Sequence, residues 1–201
     1  ANSRGSRGQC ICLDQKEALS AMEQAEKESS NGEALVEKYM KGCHDFTVSY
    51  LVKDGSPILV RTGDRFEGTE EYGLGNLCIA SSSPSKYTDM YLETAHEKVV
   101  SMLKGMGLKN APVFFQGFID GDKFRFYDPG LRFAGGEYER LQRIATGKDI
   151  IQMLVEFALS GESADAEIDD SVCMLNGKRL IQLDPTLCEG KIADIQIGRA
   201  S

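Results

Sequence analysis

Three short stretches of this chain hold residues whose types and spacing suit phosphate chemistry. In the first, Ser3, Gly5, Ser6, Arg7 and Gly8 make a small, basic run just ahead of a strand-like segment. Backbone N–H groups and hydroxyls in such a run can surround phosphate oxygens, with Arg4 or Arg7 adding charge, although a frayed terminus has the same composition. The second is Val36-Glu37-Lys38-Tyr39-Met40-Lys41-Gly42, followed by Asp45. A strand that breaks at a glycine turn leaves edge groups able to hydrogen-bond an adenine base, and an acid just past the turn can take two ribose hydroxyls; an ordinary hairpin with a surface acid reads the same way. The third joins Gln116 to Tyr127-Asp128-Pro129-Gly130-Leu131-Arg132. On a hairpin, facing positions bring Asp128 near Gln116, and a carboxylate beside an arginine can hold a divalent ion against phosphate oxygens. Asp-Pro-Gly is equally a good turn.

The other reactive side chains point away from redox or nucleophilic catalysis. Cysteines stand at 10, 12, 43, 78, 173 and 188 without a CxxC pair, so they read as reduced thiols rather than a zinc site or dithiol. His44 reads as a turn residue next to Asp45, and His96 falls mid-helix, where a solvated or partly packed role is expected.

These residues need elements to position them. Cys10 to Leu13 reads as a strand, and Asp14 with Glu17 makes a capping-box start for a helix carrying Ala18, Leu19, Met22 and Ala25 on one face, ended by Ser29 to Gly32. Ala34 to Met40 reads as a strand. Asp45 to Val52 alternates apolar and polar residues into an Asp54-Gly55 hairpin that returns through Ile58, Leu59 and Val60. Residues 62–76 read as a long glycine-rich loop. A helix over Thr88 to Met106 follows, with Leu92, Ala95, Val99, Met102 and Met106 at helical spacing and the methionines as core filler. Val113 to Ile119 and Lys123 to Tyr127 form a hairpin around Asp120-Gly121, and helices follow at Glu137 to Ala145 and Asp149 to Leu159. An acidic linker at Asp165 to Asp170 leads to short strands at Val172 to Leu175, Lys178 to Leu183 and Ile192 to Ile197. The class is α+β.

Of 201 residues 41% are hydrophobic, enough for a real core, and the net charge of −8 argues against nucleic acid as a partner. No apolar run is long enough to span a bilayer and no signal core leads the chain, so a soluble, cytoplasmic protein is expected.

The order of the three stretches resembles the ATP-grasp superfamily over roughly residues 1–161: a Gly/Ser/Arg loop, a helix, V-E-K-Y-M-x-G, an acid before an F-T-V strand, then a hairpin closing with acid-x-x-x-Arg and Gly-Gly. Within it the chain looks most like the carboxylate–amine ligases related to the large chain of carbamoyl-phosphate synthase, biotin carboxylase and the purine-pathway ligases. The resemblance implies mixed, mostly antiparallel sheets with flanking helices and a small C-terminal β tail. It divides the chain into part of a small subdomain (1–42), a large subdomain (43–161) and a linker with the β tail (162–201). It makes Ser3, Gly5, Ser6, Arg7 and Gly8 the loop over the triphosphate, Glu37, Lys38 and Met40 the adenine contacts and Asp45 the ribose ligand. Asp128 becomes the magnesium ligand, with Gln116 where a first metal acid is usual, and Arg132 lies by the phosphoryl acceptor or acyl phosphate. ATP and Mg²⁺ are the implied cofactors, with a small carboxylate and an amine as substrates.

Gln116 and Gly130 replace an expected metal acid and an expected Asn. The family's strand lysine and acceptor domain would lie before Ala1, so the resemblance implies an N-terminally truncated ligase, inactive without its missing domain. Two other readings stay open, a non-catalytic nucleotide-binding or regulatory module and an α+β interaction domain without a nucleotide.

Overall fold

The computed structural model describes residues 8–68, 78–163 and 167–183, and the chain divides into two units, Ala1–Gly42 and Cys43–Ser201. In the first, Asp14 caps helix α1 (Gln15–Glu28) by accepting from the Glu17 backbone N–H at 2.8 Å, while the Glu17 carboxylate reaches back to the Leu13 N–H at 2.8 Å. Ser29 ends it. Ala25 is the buried residue of its face, and Leu19 and Met22 are exposed, against the expected apolar stripe. The strands expected at Cys10 to Leu13 and Ala34 to Met40 do not form. A strand exists by pairing, and the described residues of this unit hold no second strand to pair with; Leu35, Val36 and Tyr39 remain exposed.

The second unit is built on one sheet. Strands β1 (His44–Lys53), β2 (Ser56–Glu67), β3 (Cys78–Ser83), β4 (Ala111–Asp120), β5 (Lys123–Gly130) and β6 (Leu180–Leu183) lie in the order β5-β4-β1-β2-β3-β6, and each neighbouring pair is antiparallel. Asp54 and Gly55, both at positive φ, make the expected β1–β2 hairpin turn. β2 runs on to Glu67, so the first part of the expected loop is strand, and residues 69–77 lie outside the described residues. β6 extends the sheet at β3.

One face of the sheet is apolar. Phe46, Val48, Tyr50 and Val52 pack there with Val113, Phe115, Tyr91, Val99 and Leu103. Tyr91 closes α2 (Thr88–Tyr91), a π turn spans Leu92–His96, and Val99 and Leu103 lie on α3 (Glu97–Gly105). The π turn adds a residue and rotates the face that follows. His96, Val99 and Leu103 are therefore buried, while Met102 and Met106, expected in the core, are exposed. His96 is not solvated: its Nδ1 is 2.8 Å from the Tyr50 hydroxyl, which is 2.7 Å from that of Tyr91.

The opposite face is covered only in part, by α4 (Tyr138–Thr146), α5 (Ile150–Ser160) and a 3₁₀ helix (Asp170–Gly177), where Leu51, Val60, Ile150, Met153 and Val172 form a second core. Val172 to Leu175 is this 3₁₀ helix and not a strand. Asp169 caps its start through the Ser171 N–H at 2.9 Å, and left-handed Leu175 and Asn176 end it. Residues 164–166 and the strand expected at Ile192 to Ile197 lie outside the described residues.

Candidate functional site

Alternation along β1, β2 and β4 sends Asp45, Thr47, Arg61, Arg65 and Gln116 to the half-covered face, where Thr47 pairs in register with Gln116 and Ser49 with Arg61. A bulge in the β4–β5 pairing between Gln116 and Gly117 sets Asp128 opposite Gln116 and leaves Tyr127 an extra residue. Gly117 permits the close approach, since a Cβ there would lie 2.5 Å from the Arg125 carbonyl oxygen and 2.9 Å from Phe126 Cα. Tyr127 then stacks on Phe118 with ring centroids 4.9 Å apart and takes a hydrogen bond from Gln116 Nε2.

These residues border a cavity of about 450 Å³ lined by Thr47, Arg61, Arg65, Ser81, Gln116 and Arg132 among others. At its rim Arg132 Nη2 donates to Asp128 Oδ2 at 3.0 Å, and its guanidinium lies 4.8 Å from the centre of the Phe114 ring. Arg65 Nη1 donates to Asp45 Oδ2 at 3.0 Å, and Gln116 Nε2 reaches the same oxygen at 3.3 Å. Burial pushes the Asp45 carboxyl up to about 6, outweighing the Arg65 charge that lowers it. Burial likewise pushes the Tyr127 hydroxyl up to about 12. Deeper in, Arg61 is 4% exposed and lies 4.0 Å over the Tyr138 ring. Burial lowers its pKa, but a guanidinium stays protonated. Glu139, the acid nearest in effect, is itself raised by burial.

Such a surface presents three arginines and an acid–amide pair around one opening, suited to holding anions next to a divalent cation. No protein-family model matches the sequence, and no curated protein matches it. Solved structures do. A biotin carboxylase from Campylobacter jejuni in complex with β-γ-ATP superposes with a TM-score of 0.68 at 20% identity, covering 88% of this chain and 38% of that one. The chain has an ATP-grasp fold. A second ATP-grasp neighbour, the biotin carboxylase domain of Hydrogenobacter thermophilus 2-oxoglutarate carboxylase with MgADP, ADP and bicarbonate, gives 0.66 at 20% identity over 84% of this chain and 36% of that one. Phosphoribosylglycinamide synthetase from Anaerococcus prevotii gives 0.53 at 15% identity over 77% of this chain and 39% of that one. The chain thus spans less than two fifths of each neighbour.

Within this ATP-grasp sheet, Gln116, Asp128, Arg132 and Asp45 come together on one face, with Gln116 linking Asp45 to the Asp128 position. Asp45 is buried rather than held at the surface. Glu37, Lys38 and Met40 lie in coil, Gly8 occupies a turn with φ +70°, and Ser3, Gly5, Ser6 and Arg7 lie outside the described residues. His44 opens β1 with its Nε2 2.8 Å from Asp64 Oδ1. The five described cysteines, Cys10, Cys12, Cys43, Cys78 and Cys173, are free.

Arg61 and Arg65 are absent from the sequence-based site. Their signal is period-2 spacing: Arg61, Gly63 and Arg65 alternate onto one face once β2 is seen to continue past Val60. The glycine-rich composition of residues 62–76 masks that period in the sequence.

Among the described residues no cluster of three or more His, Cys, Asp or Glu could hold a metal by itself. Asp128 with the Gln116 amide beside it fits a weaker role. Its Oδ1 has no protein donor among the described residues, and Mg²⁺ commonly uses one or two protein oxygens together with substrate phosphates and waters. No helix among the described residues is long and apolar enough to cross a membrane.

Proposed function

We propose that this chain is the ATP-grasp portion of an ATP- and Mg²⁺-dependent ligase joining a carboxylate to an amine, with the carbamoyl-phosphate synthase-like group as the finer assignment and the cytoplasm as its place of action. The observation that carries the reading is the Gln116–Asp128–Arg132 group at the rim of an arginine-lined cavity on an ATP-grasp sheet. An acceptor carboxylate oxygen attacks the γ-phosphorus of ATP, and the bond to the bridging oxygen breaks with its electron pair leaving on ADP. The amine nitrogen then attacks the acyl carbon, phosphate departs with the C–O electron pair, and the amine proton passes to solvent. Arg132 orients the acceptor carboxylate and balances its charge as it nears the phosphate. Bound Mg²⁺, on Asp128 and Gln116, would offset phosphate charge. Arg65 and Gln116 hold Asp45, which is proposed as the ribose ligand. Glu37, Lys38 and Met40 are proposed as adenine contacts, and Ser3, Gly5, Ser6, Arg7 and Gly8 as phosphate contacts. A further domain of the same protein is proposed to complete the acceptor site, consistent with the share of each neighbour that the chain spans.

Titrating ATP by calorimetry, with Mg²⁺ and with EDTA, tests this reading on the parent and Asp128→Asn. Mg²⁺ should tighten ATP binding in the parent and lose most of that effect in the variant; equal Mg²⁺ dependence in both would refute the assignment. A second reading, a non-catalytic nucleotide module, is favoured by Arg132 occupying Asp128 and by Gln116 standing where an acid is expected. MgATP binding without ADP release over a broad panel of carboxylates and amines would select it.

A further inference from the structure

Gln116 differs from the acid expected in its place by having two unlike ends. Its Oε1 is the kind of oxygen a hard cation takes, whereas its Nε2 carries N–H donors that repel one. A carboxylate has two equivalent oxygens and no wrong end. A glutamine serves a metal there only when its amide is turned the right way, so the groups that set that orientation matter.

The amide is gripped from the strands on both sides of β4. On β1, Asp45 Oδ2 accepts from Gln116 Nε2 at 3.3 Å, and the same oxygen accepts from Arg65 Nη1 at 3.0 Å. On β5, the Tyr127 hydroxyl oxygen accepts from the same Nε2. A primary amide has two N–H donors, and these two acceptors use both. Turning the amide end for end would set Oε1 against the Asp45 carboxylate, acceptor against acceptor. No hydrogen bond reaches Oε1 among the described residues, and Asp128 stands opposite Gln116 in register. Tyr127 is itself fixed: the bulge adds it to β5 beside Asp128, and its ring stacks on Phe118 with centroids 4.9 Å apart and 23° between planes. Phe118 in turn pairs in register with Asp45, so the two groups that hold the amide are tied to one another. With its pKa pushed up to about 12, Tyr127 meets the amide as a hydroxyl and not as a phenolate.

We propose that Tyr127 is a positioning residue, which together with Asp45 locks the Gln116 amide so that Oε1, and not Nε2, is the end presented for Mg²⁺. This rests on the Mg²⁺ part of the ligase reading. An amide oxygen attracts a cation less than a carboxylate does. Holding it in place beforehand removes the rotamer entropy that a free glutamine side chain loses on binding, and so recovers part of the difference.

The test is a double-mutant cycle of Tyr127→Phe with Gln116→Glu. ATP is titrated by calorimetry with Mg²⁺ and with EDTA, and the ratio of the two affinities measures what the metal contributes. The titrations are run near pH 8, above the Asp45 value of about 6. With Gln116 in place, Tyr127→Phe should lower that ratio about fivefold. With Gln116→Glu the same substitution should change it by no more than about twofold, because a carboxylate needs no turning. An equal fall in both backgrounds would reduce Tyr127 to a support for the strand, and no fall beside Gln116 would mean that the cation orients the amide unaided; either result overturns the proposal. The lock is also read without nucleotide or metal, by NMR of the Gln116 side-chain amide, its signals assigned by their loss in Gln116→Glu. Those protons should exchange with water at least about threefold faster in Tyr127→Phe than in the parent, and equal rates would likewise overturn it. ATP binding in the parent that is indifferent to Mg²⁺ would remove the metal reading and the role of Tyr127 with it. That failure is distinct from failure of the lock, because it shows in the parent before any substitution.

Discussion

Gln116 on β4 reaches across to Asp45 on β1, its Nε2 3.3 Å from Asp45 Oδ2, and so ties the buried acid to the residue opposite Asp128. Asp45 sits near pH 6 because burial outweighs its arginine. Its pKa is higher folded than unfolded, so its stabilising contribution is whole below the unfolded value and is lost as pH rises through the folded one. Asp45→Asn has no such titration. From about pH 4 to pH 7, its urea-unfolding free energy should gain on that of the parent by up to about 3 kcal/mol. Glu139, also raised, is present in both proteins and cancels. A difference independent of pH would show that Asp45 does not titrate in this window.

Gln116→Glu places a second carboxylate opposite Asp128. In the presence of ATP, Mg²⁺ should bind at least about tenfold more tightly, because a charged oxygen replaces a neutral one. The new acid also faces Asp45 and should push that carboxyl further up. Unchanged Mg²⁺ affinity would mean that the metal, if bound, lies away from β4.

The bulge that doubles Tyr127 and Asp128 against Gln116 depends on Gly117. Alanine there meets backbone on β5, which cannot move aside as a flexible side chain would. Gly117→Ala should cost about 3 kcal/mol by denaturation and weaken Mg²⁺-dependent ATP binding together with stability. A stable variant with unaltered binding would contradict the role given to the bulge.

In the core, Tyr50 joins Tyr91 and His96 through one hydroxyl, 2.7 and 2.8 Å away. Tyr50→Phe leaves both buried partners short of a hydrogen bond, so a loss of about 1–3 kcal/mol is expected in a urea melt. A neutral substitution would show that Tyr91 and His96 satisfy each other.

Glu137 begins α4 in a left-handed conformation, φ +56°, without capping it by its side chain. Its ion pair with Arg140 is exposed on both sides and adds little. Glu137→Gly should therefore raise stability by about 0.5–1 kcal/mol, read as a higher thermal midpoint.

Much of the fold was legible because its signals are local. Alternation at 46–52, the Asp54-Gly55 and Asp120-Gly121 turns and the Asp14 cap depend on residues a few positions apart. The regular hairpin spacing would set Tyr127 opposite Gln116, and it is the bulge between Gln116 and Gly117 that moves Asp128 there. Ala34 to Met40 has strand composition but no neighbour in the described part of its unit, and composition cannot supply the partner that makes a strand. The π turn at Leu92–His96 is equally hidden: one added residue turned Met102 and Met106 outward and His96 inward, because the helix phase follows tertiary packing.

For the site, the sequence by itself determined the order of the acid, amide and arginine positions and the α+β pattern that carries them. Only the tertiary structure decided which of them meet. Asp45, Arg65 and Gln116 come from three strands and meet at one carboxylate oxygen because register and pleat set their faces, and register is a property of paired strands. The burial that lifts Asp45 and strands the Arg61 charge likewise arises only when those strands are assembled and partly covered.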